Sequence, residues 1–321
     1  SALYRTDIRF GALNFATHEL VMLQTTINYK NYNNMKTKRQ LQTAFSAAIA
    51  ISAAALISSC GTDTCRSGSD NTIDFTRQSV ENVYTLEGSA SDYNSDHDLT
   101  IACRSTILMP ERIYGDESTA LRDSIVSAAF GKAETYSDTV ATEYFRKYAS
   151  ELGFNLNTDK DTKQFNGESL YKADGYITIE GSVESLSQTF LSYAVETDFY
   201  YPRSAHGSSN TKYINYDIES GRIIELDDIF VHEKMNDELV DKIRERAKVM
   251  EALAGPISIE GLPANGNFYV TNSGDIVFAY QPYEAASYAQ GVIDVRFQPY
   301  ELTDMMSKEG RQLFNLPSEA D

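Results

Sequence analysis

An alternation of apolar and polar residues recurs along the chain from residue 72 onward, and it constrains the fold more than any other feature. It is clearest over residues 99–109 and 193–201, where most odd-numbered residues are apolar or aromatic. This period of two is typical of a β-strand with one buried face. Short apolar runs also flank turn sequences at Gly221 and Gly274, which predicts two β-hairpins, and a last strand is predicted over residues 293–297.

Apolar residues at helical spacing lie between these strands. They predict helices over residues 121–129, 140–152 and 235–253, each followed by a glycine within two residues. Helices grouped between antiparallel strands predict an α+β fold, which is mainly an antiparallel sheet with amphipathic helices, and not a doubly wound parallel sheet.

The region from residue 72 onward is long enough for two subdomains with cores of their own. We predict an N-terminal α+β subdomain over residues 72–170, a C-terminal α+β domain over residues 171–304 and a tail over residues 305–321. The boundary between the two subdomains follows a polar loop at residues 155–168.

A secretory signal precedes the strand pattern. A cluster of three basic residues at positions 36–39 is followed by an uncharged stretch, residues 40–59. The apolar part of that stretch is interrupted by serines and is shorter than the roughly 20 residues that a membrane-spanning helix needs. The sequence therefore predicts a signal peptide over residues 35–59, and residues 1–34, which lack periodicity and precede Met35, are interpreted as an upstream extension of the gene model.

The signal ends in Leu56-Ile57-Ser58-Ser59-Cys60, which resembles a bacterial lipobox. This resemblance implies lipidation of Cys60 and a tether over residues 60–71; the alternative is an ordinary signal peptide with an incidental cysteine. Since Gly61 and Thr62 lack the acidic run of a surface-export tag, we expect a lipid-anchored protein of the cell envelope, on the outer membrane and facing the periplasm.

Two further cysteines, Cys65 and Cys103, remain if Cys60 carries lipid. An exported compartment permits a disulfide between them. Cys103 also lies in an alternating strand pattern, where a buried free thiol is an equally good interpretation.

The charge of the chain is strongly negative. It contains 46 acidic and 28 basic residues, for a net charge of -18. The first 59 residues hold two acidic and six basic residues, so the part after them carries 44 and 22, or -22. Such a charge opposes binding to nucleic acid and favours basic proteins as partners.

Sequence motifs for common chemistries are missing from the exported part. It has no glycine-rich phosphate loop, zinc-protease motif or serine-hydrolase motif. The acidic loop from Asn157 to Glu168 has some oxygen ligands of a calcium-binding EF-hand, but Thr162 stands where the sharp turn needs glycine. No cofactor and no metal are predicted.

Two tyrosine-rich segments, residues 198–216 and 278–291, are the most distinctive part of the chain. The first contains Ala205-His206-Gly207, and the second contains Tyr283-Glu284 and Tyr288-Ala289-Gln290-Gly291. Together they resemble a domain-of-unknown-function family found as the exported part of RsiV-like, lysozyme-responsive anti-sigma factors and beside some peptidoglycan deacetylases. The resemblance covers roughly residues 170–300, with a companion domain like residues 75–165.

The resemblance implies a two-part α+β module that recognises a ligand at the cell envelope. The candidate binding residues are His206, Tyr283, Glu284 and Tyr288, which would line one recognition surface. The alternative is that they are structural, with His206 fixing a turn and the tyrosines packing against the backbone. Those anti-sigma factors carry a transmembrane helix, whereas this chain has a lipoprotein-like signal, so it cannot signal across a membrane in their manner.

Two classes of function follow from these observations. The first is a non-catalytic binding or sensing module for a protein, such as a basic lysozyme-like protein, or for peptidoglycan or another glycan. The second is a cell-wall or glycan hydrolase that uses a carboxylate pair, for example Glu284 with an aspartate. Two convergent carboxylates with a raised pKa would favour the enzyme, and a shallow tyrosine-rich face would favour binding.

The lipobox-like segment predicts that the cell-associated protein begins at lipidated Cys60. Mass spectrometry of the mature N-terminus should find Cys60 with a diacylglycerol group, and Cys60→Ala should release the protein from the membrane fraction. A mature chain that still begins at Met35, or membrane association that is unchanged in Cys60→Ala, contradicts this prediction.

Overall fold

The computed structural model contains a seven-stranded sheet, called the main sheet below. The structure describes residues 73–93, 96–132, 134–154, 173–187, 189–254, 256–257 and 263–317. The strands of the main sheet are β1 (Ile73–Leu86), β2 (Leu99–Ile113), β3 (Asp116–Glu117), β4 (Gly175–Leu186), β5 (Phe190–Tyr200), β6 (Ser208–Asp217) and β7 (Arg222–Ile224).

The main sheet is antiparallel except at one place. Its order is β1-β2-β4-β5-β6-β7, with β3 paired to β2, and only β2 and β4 run parallel among these described strands. A parallel pair needs a long crossover connection. The helices α2 (Thr119–Phe130) and α3 (Asp138–Glu151) lie in that connection; a short helix, α1 (Ser89–Tyr93), precedes β2.

Helices α2 and α3 cover one face of the main sheet. Both follow the predicted periodicity: Leu121 and Ile125 on α2 and Phe145 on α3 are fully buried against alternate residues of the strands. Helix α2 ends at Gly131, whose φ of 70° suits glycine. Helix α3 begins after Ser137, whose side chain accepts a hydrogen bond from the backbone of Val140.

A second sheet, called the small sheet below, follows in the chain. Its strands are β8 (Phe268–Val270), β9 (Ile276–Tyr280) and β10 (Ile293–Phe297), in the order β10-β9-β8. Before it come α4 (Leu226–Ile229), α5 (His232–Lys234), a π-helical turn (Met235–Leu239) and α6 (Val240–Ala254). A 3-10 helix, Tyr288–Gln290, lies between β9 and β10. A second 3-10 helix, Pro299–Met305, and then α7 (Lys308–Leu313) follow β10. These elements enclose a second apolar core centred on Phe278.

Polar side chains join the two sheets. Asn267 accepts a hydrogen bond from the backbone N–H of Tyr213 and donates one to the carbonyl of Thr211, both at 2.9 Å. The Thr211 N–H donates to the side-chain oxygen of Gln281 at 2.7 Å. Asn215 donates to the Phe268 carbonyl at 2.8 Å. Because β7 pairs with β6 only from residue 215 onward, the side chains of Asn267 and Gln281 bond the backbone of β6 where it has no strand neighbour on that side.

The predicted fold class is confirmed, since the structure is α+β with a mainly antiparallel sheet and amphipathic helices. The predicted hairpins, the last strand and all three helices are present; the third helix begins with the π-helical turn. Strands from both sides of residue 170 pair in the main sheet, and the division into subdomains stays a prediction.

Several predicted features lie outside the described residues. They are the segments 1–34 and 35–59, Cys60 and the tether to residue 71, Cys65, and the acidic loop 155–168. Cys103 is described: it is a free thiol on β2 with no exposed surface, and its burial raises the pKa of the thiol. Among the described helices, none is both long and apolar enough to span a membrane.

The side-chain amides between the sheets predict a measurable contribution to stability. Asn267→Ala removes the partners of two backbone groups on β6, so the free energy of unfolding should fall by about 2 kcal/mol in urea denaturation. Asn210→Ala is the matched control, because Asn210 is an exposed residue of the same strand; it should change stability by less than about 0.5 kcal/mol. Equal effects of the two substitutions contradict this role of Asn267.

Candidate functional site

His206 lies in the loop that joins β5 to β6. Its Nδ1 is 2.8 Å from the carbonyl oxygen of Gly207. A carbonyl only accepts hydrogen bonds, so Nδ1 carries the proton and Nε2 is an acceptor in the neutral ring. Gly207 is required here because a Cβ would be 2.8 Å from the backbone oxygen of Phe199. The exposed imidazole is thus held in one orientation by its own loop.

Tyr283 lies in the turn that follows β9. Its φ is 72°, a left-handed value that is unusual for a large side chain. The turn is closed by hydrogen bonds from the Tyr283 N–H to the carbonyl of Ala286, at 2.9 Å, and from the Glu284 N–H to that of Gln281, at 3.0 Å. The carboxylate of Glu284 accepts the N–H of Gln281 at 2.7 Å. Glu284 therefore closes the turn that displays Tyr283.

The rings of His206, Tyr283 and Tyr288 form one group on the surface, which we call the aromatic cluster. His206 stacks on Tyr288 with 4.7 Å between ring centroids, and Tyr288 stacks on Tyr283 at 5.9 Å. The Tyr283 hydroxyl donates to Nε2 of His206 at 3.4 Å. Tyr283 is 64% exposed. The structure thus brings together three of the four predicted binding residues, while Glu284 is engaged with the backbone of its own turn.

A group of carboxylates lies on the face of the main sheet that α2 and α3 do not cover. We call it the acidic strip; Glu180, Glu184, Glu196 and Asp198 belong to β4 and β5, and Asp294 of β10 in the small sheet joins them next to Glu184. Glu180 and Glu196 are direct cross-strand partners on β4 and β5. Glu180 and Glu184 keep exposed surface, and Glu196 and Asp198 are half-buried. Like charges placed opposite each other on a sheet disfavour ionisation.

The pKa values of the acidic strip are all raised, chiefly by burial against the sheet. The pKa of Glu196 rises to about 7, because burial is reinforced by the charges of Asp198, Glu180 and Glu184, while the Ser209 hydroxyl opposes the shift. The pKa of Glu180 is raised by burial and by Asp198, against the opposing charges of two arginines.

Tyrosines connect the acidic strip to its surroundings. Tyr213 and Tyr269 lie 4.6 Å apart between ring centroids, and the Tyr269 hydroxyl donates to Asp294 at 3.2 Å. At the other end, the pKa of Tyr288 is raised by burial and then by the charge of Asp198. The aromatic cluster and the acidic strip are therefore neighbours on one surface.

Sequence reasoning missed the acidic strip. Its carboxylates come from the consecutive strands β4 and β5 and from β10, which lies much later in the chain, and only the register of β4 against β5 places Glu180 opposite Glu196. The sequence did contain one indication of this group. Glu196 and Asp198 are two residues apart and Glu180 and Glu184 are four residues apart, and in an ideal strand either separation places both side chains on the same face.

Comparison with known proteins supports the family expectation in part. Residues 227–302 match the model of a family described as "Protein of unknown function (DUF3298)". This segment holds Tyr283, Glu284 and Tyr288 but not His206. No protein of curated function matches the chain. The relation to anti-sigma factors stays a prediction.

Two solved structures resemble the chain in fold. A DUF3298 family member from Bacteroides fragilis NCTC 9343 is 19% identical, with a TM-score of 0.57 over 77% of this chain and 98% of that one. A DUF3298 family protein from Pseudomonas aeruginosa PAO1 is 13% identical, with a TM-score of 0.49 over 78% and 99% of the two chains. The first likeness shows that the fold described here is that of a DUF3298 family member.

The left-handed backbone of Tyr283 predicts an unusual response to substitution. Tyr283→Gly should be more stable than Tyr283→Ala by about 1 kcal/mol in urea denaturation, because only glycine adopts this φ without steric cost. Tyr300 is the control: it is 66% exposed, in the 3-10 helix Pro299–Met305, and there the glycine variant should be the less stable of the two. The same order at both positions contradicts the strain assigned to Tyr283.

Proposed function

We propose that this protein is a non-catalytic recognition module of the cell envelope, which binds a protein or a cell-wall component through the aromatic cluster. The observation that carries the proposal is the surface group of exposed His206 and Tyr283 and half-buried Tyr288, with Tyr283 held at a positive φ. Backbone strain of this kind persists only where the surrounding structure enforces it, and it concentrates at functional sites. Here it displays a large aromatic side chain to solvent.

Exposed tyrosines suit recognition for a physical reason. Their rings offer a large apolar area with few rotatable bonds, and their hydroxyls still form hydrogen bonds. Stacking on His206 restrains Tyr288 before any partner arrives, which lowers the entropy lost on binding. The aromatic cluster is therefore a preorganised anchor.

The charge of the chain favours a basic partner. After residue 59 the net charge is -22, and the acidic strip adjoins the aromatic cluster. Lysine and arginine side chains bind both to carboxylates and to the faces of tyrosine rings. A basic lysozyme-like protein is the first candidate, and a glycan of the cell wall is the other.

The sequence supports the proposed location. The basic segment, the serine-interrupted apolar stretch and the lipobox-like end at Cys60 together favour export and a lipid anchor. Since lipid chains contribute about 0.8 kcal/mol per buried methylene, such an anchor would hold the module at the membrane without a spanning helix. We place the protein on the outer membrane, facing the periplasm.

A second candidate function is a glycan hydrolase. The observation that favours it is Glu196, whose pKa is raised to about 7 directly across the β4–β5 pair from Glu180. A protonated carboxyl beside an ionised one is the arrangement of glycoside hydrolysis. This pair replaces Glu284 as the candidate, because the Glu284 carboxylate closes a turn.

Titration of the immobilised full-length chain tests the proposal. We expect selective binding to lysozyme or to purified peptidoglycan at physiological salt, weakened by about 2 kcal/mol in Tyr283→Ala and Tyr288→Ala but unchanged in the control Tyr300→Ala. An unrelated basic protein of similar charge measures non-specific attraction.

Three results of this titration contradict recognition through the aromatic cluster. They are equal binding to both basic proteins that disappears at physiological salt, no binding to either lysozyme or peptidoglycan, and identical affinities in the tyrosine variants and the wild type. Release of reducing sugar ends from peptidoglycan, abolished by Glu196→Gln, supports the hydrolase instead.

A further inference from the structure

We propose that the aromatic cluster binds an uncharged saccharide chain with equatorial linkages, of the kind found in chitin and cellulose, by stacking its sugar rings on the exposed faces of His206 and Tyr283. The inference deepens the proposed function, on which it rests, because it assigns the ligand to the saccharide class and names the linkage that the site selects.

Two rings of the aromatic cluster lie side by side, and the third supports them. The Tyr283 hydroxyl meets Nε2 of His206 at 3.4 Å and the two ring centroids are 6.5 Å apart, so these rings contact each other at their edges. Tyr288 stacks on both, at 4.7 Å from His206 and 5.9 Å from Tyr283. Tyr288 is half-buried, whereas the other two are exposed. The outer faces of His206 and Tyr283, called the platform below, are therefore available to a ligand.

The platform is nearly flat. The three rings are inclined to one another by only 24°, 25° and 35°. A saccharide chain with equatorial linkages is a flat ribbon, whose broad faces carry C–H groups that pack on the apolar face of an aromatic ring. The 6.5 Å between the centroids of Tyr283 and His206 is comparable with the length of one sugar residue in such a ribbon. Two consecutive sugars therefore fit the two rings, whereas an axial linkage would turn the second sugar away.

Both segments that carry the platform have an unusual backbone. Among the described residues other than glycine, four have a positive φ, and two of these are Arg203, at 66°, in the loop of His206, and Tyr283, at 72°. Strain of this kind concentrates at binding sites, so its presence in both segments singles out this surface. The side chain of Arg203 is exposed. A guanidinium group carries five N–H donors, so this loop presents hydrogen-bond donors for sugar hydroxyls.

The charged groups around the platform favour an uncharged ligand over a lysine or arginine side chain. Asp198 acts on Tyr288, but burial raises the pKa of Asp198 and favours its neutral form. The carboxylate of Glu284 is engaged with the N–H of Gln281. Arg203, in the loop of His206, would repel a second cation. A net charge of -22 after residue 59 attracts basic proteins at long range, and it also opposes polyanionic saccharides.

Calorimetric titration of the full-length chain with chitohexaose, cellohexaose and maltohexaose tests the proposal. The first two have equatorial linkages, and the third has axial ones. We expect both chitohexaose and cellohexaose to bind at least about tenfold more tightly than maltohexaose at physiological salt, because only they stack on both rings. The imidazole NMR signals of His206, assigned with His206→Asn among the four histidines of the chain, should shift when chitohexaose binds.

Variants of Tyr283 locate the binding. Tyr283→Ala should weaken chitohexaose binding by about tenfold, because it removes one stacking face. Tyr283→Phe keeps the ring and loses only the hydroxyl, so its affinity should stay within about threefold of the wild type. Tyr283→Gly removes the ring without a steric cost at this positive φ and should lose as much affinity as Tyr283→Ala. The matched control, Tyr300→Ala, replaces a tyrosine that is 66% exposed and should bind like the wild type.

The outcomes separate this inference from the proposed function. Equal affinities for chitohexaose and maltohexaose overturn the inference, as does an unchanged affinity for chitohexaose in both Tyr283→Ala and Tyr283→Gly. No binding of chitohexaose or cellohexaose overturns it as well. If lysozyme binding nevertheless depends on Tyr283, the aromatic cluster recognises a protein, and the proposed function stands without this inference. The proposed function itself fails if Tyr283→Ala alters the binding of neither lysozyme, peptidoglycan nor these saccharides.

Discussion

The backbone of β6 between residues 208 and 214 is the constraint on which the rest of this structure depends. One side of the strand pairs with β5, but the short strand β7 leaves the other side without a strand neighbour over these residues. Unpaired backbone groups are costly inside a protein. Asn267 and Gln281 supply the missing partners with their side chains, and both belong to the segments that flank β8 and β9. The small sheet is thereby fixed against the main sheet.

This attachment explains how the candidate site is assembled. Gln281 bonds β6 through its side chain, and its backbone N–H and carbonyl begin the turn that displays Tyr283. The loop of His206 enters the same β6 strand. The aromatic cluster therefore forms where the loop of His206 and the turn of Tyr283 are both attached to the first half of β6. The acidic strip lies beside it on the neighbouring strands. A surface built in this way is ready for a partner before binding, which lowers the entropic cost of recognition.

Much of the fold could be predicted from the sequence, because periodicity reports which side of a strand or helix is buried. The alternation around Tyr193 and the helical spacing of Leu121 and Ile125 both correspond to buried faces. The parallel pairing of β2 with β4 could not be predicted, since it depends on contacts that are distant in sequence. The candidate site could be predicted only for residues that belong to a local sequence motif. These are His206, Tyr283 and Tyr288, whose rings lie together in the structure. The role of Glu284 as the closure of its turn, and the acidic strip, required the register and the turn geometry.

Native-state hydrogen exchange of the backbone amides of Thr211 and Tyr213 tests the central claim most directly. If the side chains of Gln281 and Asn267 hold these amides as the structure shows, both should exchange slowly. Their free energy of opening should match that of the amides of β9, because the two sheets would then open as one cooperative unit. Exchange of Thr211 and Tyr213 near the rate of an unprotected chain, while β9 remains protected, would contradict the claim that the small sheet is fixed to β6.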